Sequence, residues 1–339
     1  MDPSTLQTTW FALLGAVWVL YLVLGGTDLG VGMLLRRTDA RTALRAIGPT
    51  WAANDVWLVI AVAAMLGSFP GWYAAWASGL YLPLVVLLVA LMLRHAGIEL
   101  MTHATERAVE RWKRVIAVSS VVLAFGWGVV WTGALDGSLA RGEAGGLGVL
   151  SPRSVLVGLA LVALCRLQGL AFLRLRVPAA RAGLPLRRAS AVTAVLVLAA
   201  GVALATGAAP GVGLGAVGAA GLALAGAGLA LVVAAGAAGR AGWALLAGAA
   251  VTTGAVVAVF GALFPTPIAG AGGVTVTGAA AGNPTLSSML WIAALLLPPL
   301  LAALAFAYVR FLRAPEGVAR GGVAGAVARA LRGTLHELR

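Results

Sequence analysis

Two aspartates stand inside segments that otherwise read as lipid-embedded helix. Asp28 lies in Gly25-Gly26-Thr27-Asp28-Leu29-Gly30-Val31-Gly32, and Asp55 in Trp51-Ala52-Ala53-Asn54-Asp55-Val56-Trp57. A carboxylate at the bilayer centre costs about 2.5–3.5 kcal/mol on insertion scales. A chain keeps one there when it faces a protein interior or a wet cavity and helps move protons, ions or substrate. The alternative is an Asp that caps a broken helix or pairs silently with a neighbouring one. The glycines around Asp28 weaken its helix, and a broken helix with a carboxylate at the break is a recurrent ion or proton site. Trp51 and Asp55 are four apart, and Asn54 and Trp57 three apart, so two faces of one turn carry polar groups beside aromatic anchors. Asn54 and Asp55 both need hydrogen-bond partners at that depth.

The remaining polar residues in apolar surroundings point less clearly to chemistry. Arg94 and Glu99 end the third apolar segment and read as a snorkelling anchor with a surface carboxylate. Arg166 and Gln168 fall inside the fifth, where an arginine needs a partner or a reach to the interface. The three histidines, His95, His103 and His336, lie in or beside basic segments, so no mid-helix pair is offered to a haem iron. The single Cys165 excludes an intrachain disulfide, and no metal-ligand or triad spacing occurs. The Gly-rich stretch 142–148 lacks the strand–turn–helix context that phosphate binding needs.

The elements that must position these groups are membrane helices. Of the 339 residues 61% are hydrophobic and only 10% charged, with mean hydropathy +0.99; a soluble domain carries about 25% charged residues. Nine apolar segments are expected, at 8–35, 50–68, 72–93, 115–135, 154–173, 189–209, 212–236, 241–264 and 287–312. The fold class is therefore all-α: one polytopic transmembrane bundle over 1–314, then a basic tail at 315–339, with no separate soluble domain. The first apolar run is too long for the apolar region of a secretory signal. With this topology 21 of the 24 Lys and Arg fall on one face, which the positive-inside rule makes cytoplasmic; the N-terminus is then outside and the C-terminus inside. The net charge of +13 is thus topological, and nucleic-acid binding is excluded as its cause.

Residues 189–264 are almost all Ala, Gly, Val and Leu, and the pairs Gly211/Gly215 and Gly221/Ala225 suit close helix approach in lipid. Composition drift explains them equally well. The uncharged stretch from Pro265 to Leu286 reads as an outer loop, with Val274–Thr277 alternating as a short strand does. Asn283-Pro284 reads as a helix start, and Pro298-Pro299 as a kink in the ninth segment. In the tail, Val323, Val327, Leu331, Leu335 and Leu338 share a stripe, as in an interfacial amphipathic helix; a disordered tail is the alternative.

These residues resemble a known family. Trp10-Phe11 and Gly26-Thr27-Asp28-Leu29-Gly30-Val31-Gly32-Met33-Leu34 resemble the G-F-D-L/M-G-V-G-M-L opening of subunit II of the cytochrome bd-type quinol oxidases. Gly48-Pro49, Trp51 and Asn54-Asp55-Val56-Trp57-Leu58 resemble its G-P-x-W-D-G-N-E/Q-V-W-L. Phe69 to Ala74, Ser78 to Leu84, and Arg94 with Glu99 continue in register; Phe264-Pro265, Thr285-Leu286, Met289, Trp291 and Pro298 fit near the end. The first hundred residues match specifically, the last sixty moderately, and the middle by hydropathy alone.

The resemblance implies a subunit of a quinol:oxygen oxidoreductase in the bacterial cytoplasmic membrane. Its partner, subunit I, would carry the b- and d-type haems and oxidise quinol; a small accessory subunit stays open. This chain would bind no haem directly, support assembly and line a cytoplasmic proton path. In the family that path uses the carboxylate after the first Trp of W-D-G-N, a position held here by Ala52, with Ala53 for Gly, Asp55 for Glu/Gln, Thr27 for Phe and Met101 for Arg. Asp28, Asp55 and Asn54 are the proton-path candidates left, with Trp51, Trp57, Arg94 and Glu99 as structural residues of the motif. A secondary transporter or permease would equally keep membrane aspartates, and a purely structural paralogue of the oxidase subunit would need none.

Overall fold

Ser4 starts the first helix: its hydroxyl accepts from the Gln7 backbone N–H while the Gln7 side chain accepts from the Ser4 N–H. The helix it caps, α1 (Thr5–Leu34), runs unbroken and passes through a 3₁₀ turn (Leu35–Arg37) into the short α2 (Ala40–Ile47). Then follow α3 (Thr50–Ser68), α4 (Pro70–Gly79), α5 (Tyr81–Thr102), α6 (Glu106–Leu135), α7 (Pro152–Arg176) and α8 (Leu186–Gly207). The chain continues with α9 (Ala216–Ala237), α10 (Ala241–Leu263), the single turn α11 (Val276–Ala279) and α12 (Asn283–Arg313). This computed structural model describes residues 2–48, 50–102, 104–142, 146–177, 185–209, 212–270 and 273–313. Among the described residues, nine helices are long and apolar enough to cross a membrane. The fold is an all-α polytopic membrane bundle, and the amphipathic stripe expected at 315–339 lies outside the described residues.

The third expected segment is corrected. Apolar residues run on from 72 to 93, but the backbone breaks at Leu80, so α4 and α5 are separate helices. Pro70 occupies the first turn of α4 and Pro83 the first turn of α5, where a missing amide hydrogen costs no helical bond. Hydropathy averages over such a break. The consequence reaches the site, because α5 starts nine residues later than expected and moves Arg94 and His95 from its end to its interior. Similarly, α6 starts at Glu106 rather than near 115, its first turns being charged on one side.

Close backbone crossings hold α1 in place. A Cβ built on Gly30 would fall on the Cys165 carbonyl, and one on Gly169 would fall on the Gly30 backbone, so α1 and α7 touch main chain to main chain. The glycines near Asp28 therefore serve packing in a continuous helix; the expected break is absent. Gly221 and Gly254 make a second such crossing, between α9 and α10, with Ala225 opposite. Of the other pair, Gly215 faces open space and Gly211 lies outside the described residues.

Above these crossings sits an aromatic layer. Trp18 meets Trp127 and Trp131 edge to face, with ring centroids 4.9 and 5.1 Å apart, and Trp76 meets Trp131 at 4.9 Å. The short α4 exists to deliver Trp72 and Trp76 into this layer, and both are buried. In the loop before α12, Ile268 and Val274 form one isolated antiparallel bridge, whereas Val276–Ala279 is helical, correcting the strand expected at 274–277.

Candidate functional site

The candidate residues meet where α3 packs on α1 and reaches α5 through its side chains. Asp28 lies six residues before the end of α1, about 9 Å along the axis at 1.5 Å per residue, and is 4% exposed. Its Oδ2 accepts from Asn54 Nδ2 at 2.5 Å. Asn54 and Trp57, three apart, are both buried, whereas Ala52 is exposed. The α3 turn thus has the two polar faces expected of it.

Its second face meets α5. Asp55 Oδ2 lies 2.9 Å from His95 Nε2 and 3.7 Å from Arg94 Nη1. Trp51, one turn before Asp55, packs its ring on His95 with centroids 5.1 Å apart. The His95 Nδ1 is 2.8 Å from the Leu91 carbonyl oxygen. Arg94 is fully buried, and its Nε and Nη2 have no hydrogen-bond partner among the described residues. Arg94 is therefore not the snorkelling anchor expected from the sequence. It is an interior cation that shares Asp55 with His95. Glu99, on the next turn, is exposed as expected.

Sequence reading missed His95. It placed all three histidines beside basic segments, yet His95 is fifteenth of the 22 residues of α5 and turns onto Asp55. His103 and His336 lie outside the described residues. The signal available was Pro83: if the proline opens α5, then Arg94 and His95 fall three turns inside it. Arg166 and Gln168 separate from this cluster. Gln168 is buried on α7 and donates from Nε2 to Thr252 Oγ1 on α10 at 3.0 Å, while Arg166 is half-buried and makes no ion pair with a described carboxylate.

The arrangement places two carboxyl groups, an amide, an imidazole and a guanidinium in contact over three helices, in an otherwise apolar bundle. No covalent chemistry follows from these groups, since none is an activated nucleophile. They can bind and exchange protons.

Comparison with known proteins agrees with the fold and the motifs. The family model described as cytochrome bd terminal oxidase subunit II matches residues 6–311. Over 183 residues the chain is 33% identical to cytochrome bd ubiquinol oxidase subunit 2 of Bacillus subtilis, covering 51% of this chain and 54% of that one. Over 120 residues it is 32% identical to cytochrome bd-I ubiquinol oxidase subunit 2 of Escherichia coli, covering 34% and 31%. The chain thus spans about half, or less, of the length of these relatives. A chain of the bd oxidase from Geobacillus thermodenitrificans shares the fold, with TM-score 0.70 at 19% identity over 91% of this chain and 99% of that one. With nine-tenths of its length inside the family model and the G-T-D-L-G-V-G-M-L and N-D-V-W-L motifs at the junction of α1, α3 and α5, the chain belongs to the cytochrome bd terminal oxidase subunit II family.

Proposed function

We propose that this chain is the second, non-haem subunit of a quinol-oxidising oxygen reductase in the bacterial cytoplasmic membrane, and that it lines a proton path. The buried contact between Asp28 and Asn54 carries the reading. A carboxyl group held inside a bundle by an amide, with a second carboxyl one residue further along α3, is costly in lipid and useful to proton transfer. Asp28 and Asp55 are the proton-carrying groups, with Asn54 and water bridging them; Trp51 and Trp57 fix the α3 turn. The C-terminal ends of α1 and α5 and the start of α3 then face the cytoplasm, with the chain's N-terminus outside.

The haems belong, on this reading, to the partner subunit, where they supply the oxidation of quinol and the reduction of oxygen to water. The histidine among the described residues does not suit a haem iron: both ring nitrogens of His95 already lie close to oxygens, of Leu91 and Asp55. The chain's own share is to assemble with the partner and to deliver protons.

The test is to purify the complex through a tag on this chain, record its visible absorption and measure quinol-driven oxygen uptake. Haem bands that co-purify are expected, with uptake slowed in Asp28→Asn and Asp55→Asn while the bands stay unchanged. A chain that purifies without a haem protein and binds a substrate by itself would replace this reading with a permease.

A further inference from the structure

We infer that His95 and Asp55 form a proton-loading pair at the entrance to this path, in which His95 takes protons from water and hands them to Asp55. The inference rests on the reading that this chain carries protons. It adds a residue that stands outside the family motifs read above.

Both nitrogens of the His95 ring lie close to an oxygen. A carbonyl oxygen only accepts, so the 2.8 Å contact with Leu91 puts a proton on Nδ1. In the neutral ring Nε2 then carries a lone pair, and an ionised Asp55 would present it with another across 2.9 Å. Two acceptors at that separation repel. Oδ2 has no aligned hydrogen-bond donor among the described residues, so one proton shared with Nε2, as imidazolium against carboxylate or as imidazole against carboxylic acid, relieves both atoms once the ring turns to face it. The contact therefore favours one proton on the pair and lets it exchange between Nε2 and Oδ2.

The charged groups facing the pair are Arg94, on the same helix and 3.7 Å from Asp55 Oδ2, and Asp28, across Asn54 on α1. Exposure falls stepwise along the route: the His95 side chain is 34% exposed, that of Asp55 16%, and Asp28 is 4% exposed.

The step balances simply. The Nε2–H bond of imidazolium breaks as an O–H bond forms on Asp55 Oδ2, leaving neutral imidazole with Nδ1 still bound to Leu91. Asp55 releases its proton inward toward Asn54 and Asp28. A swing of the ring off Asp55 brings Nε2 to the exposed side, where it takes the next proton from hydronium and leaves water.

The test uses the whole complex, with haem bands as the measure of assembly. His95→Ala should slow quinol-driven oxygen uptake at least about tenfold, as loss of a positioned proton-transfer group does, and added imidazole should restore it. Imidazole should leave Asp55→Asn slow. His95→Gln fills similar space and still donates toward Asp55 but cannot carry a proton, so it should be slowed by a similar factor. Wild-type uptake in His95→Gln, or an assembled His95→Ala complex that imidazole does not rescue, overturns the inference; should His95→Ala not assemble, His95→Gln decides alone. If Asp55→Asn is slow while His95→Gln is not, only the role of His95 fails. If Asp28→Asn and Asp55→Asn both run at full rate, the proton path through this chain fails with it.

Discussion

Asn54 Nδ2 donates to Asp28 Oδ2 across 2.5 Å, joining side chains 26 residues apart in the chain and on different helices. In lipid, where apolar burial gives helices little reason to associate, such a contact helps set how α1 and α3 dock. Leaving a buried polar group without its partner costs about 1–3 kcal/mol. Asn54→Ala should therefore lower the thermal stability of the complex, and should cost less once Asp28→Ala is present. A double-mutant cycle by thermal unfolding should give a coupling of at least about 0.5 kcal/mol; strictly additive losses would show that the two side chains do not support each other.

Arg94 is the cation that Asp55 and Asp28 share a bundle with, and it is fully buried. Removing one partner of a buried pair costs about 3–5 kcal/mol, because the other charge stays behind. Arg94→Ala should sharply reduce the yield of assembled complex. Arg94→Lys should recover little, since a point-like ammonium does not reproduce the planar fork. Recovery to wild-type yield in Arg94→Lys would show that only the charge matters there.

The crossing of α1 and α7 leaves no room for a side chain. Gly30→Ala or Gly169→Ala must push the two backbones apart, and overpacking costs about 1–3 kcal/mol or more. The melting temperature of the complex should fall in both. Gly201→Ala is the control: that position in α8 faces open space, and removing a helical glycine stabilises by up to about 1 kcal/mol. Equal melting temperatures for Gly30→Ala and Gly201→Ala would contradict the crossing.

Asp39, outside the membrane-spanning helices, caps α2 by accepting from the Thr42 backbone N–H at 3.1 Å and from the Thr42 hydroxyl. Chiefly that hydroxyl holds its carboxyl below the usual aspartate value. Because the folded value is the lower one, the stability it contributes is complete above the unfolded pKa of about 3.9 and fades as pH falls through the folded value. Asp39→Ala should cost about 0.5–2 kcal/mol near neutral pH. The gap in melting temperature between wild type and Asp39→Ala should close toward pH 3; a constant gap would mean the charge plays no part in the cap.

A reporter fused after Arg339 should be active only in the cytoplasm, as the distribution of Lys and Arg requires. Activity on the outer side would invert the whole bundle and place the entrance at His95 on the wrong face for cytoplasmic protons.

The sequence alone determined the class of the protein, its number of spans and the short list of groups worth attention. These follow from local physics: apolar length sets a span, and a carboxylate in such a length is conspicuous because lipid penalises it. The pairing of Asn54 with Trp57 on one face and of Trp51 with Asp55 on another was legible for the same reason, since helical spacing is a property of the chain itself. What these faces meet was not. That Asn54 turns to Asp28, that Asp55 turns to Arg94 and His95, and that Ala52 faces outward depend on how three helices pack, and no window on one segment contains its neighbours. The interior position of Arg94 and His95 turned on one break at Leu80 between two apolar helices, to which hydropathy is blind. The glycines around Asp28 suggested a broken helix, whereas the facing backbone of α7 at Cys165 and Gly169 is the reason they carry no side chain. Composition fixes what a segment avoids; only the contacts between segments fix what it does.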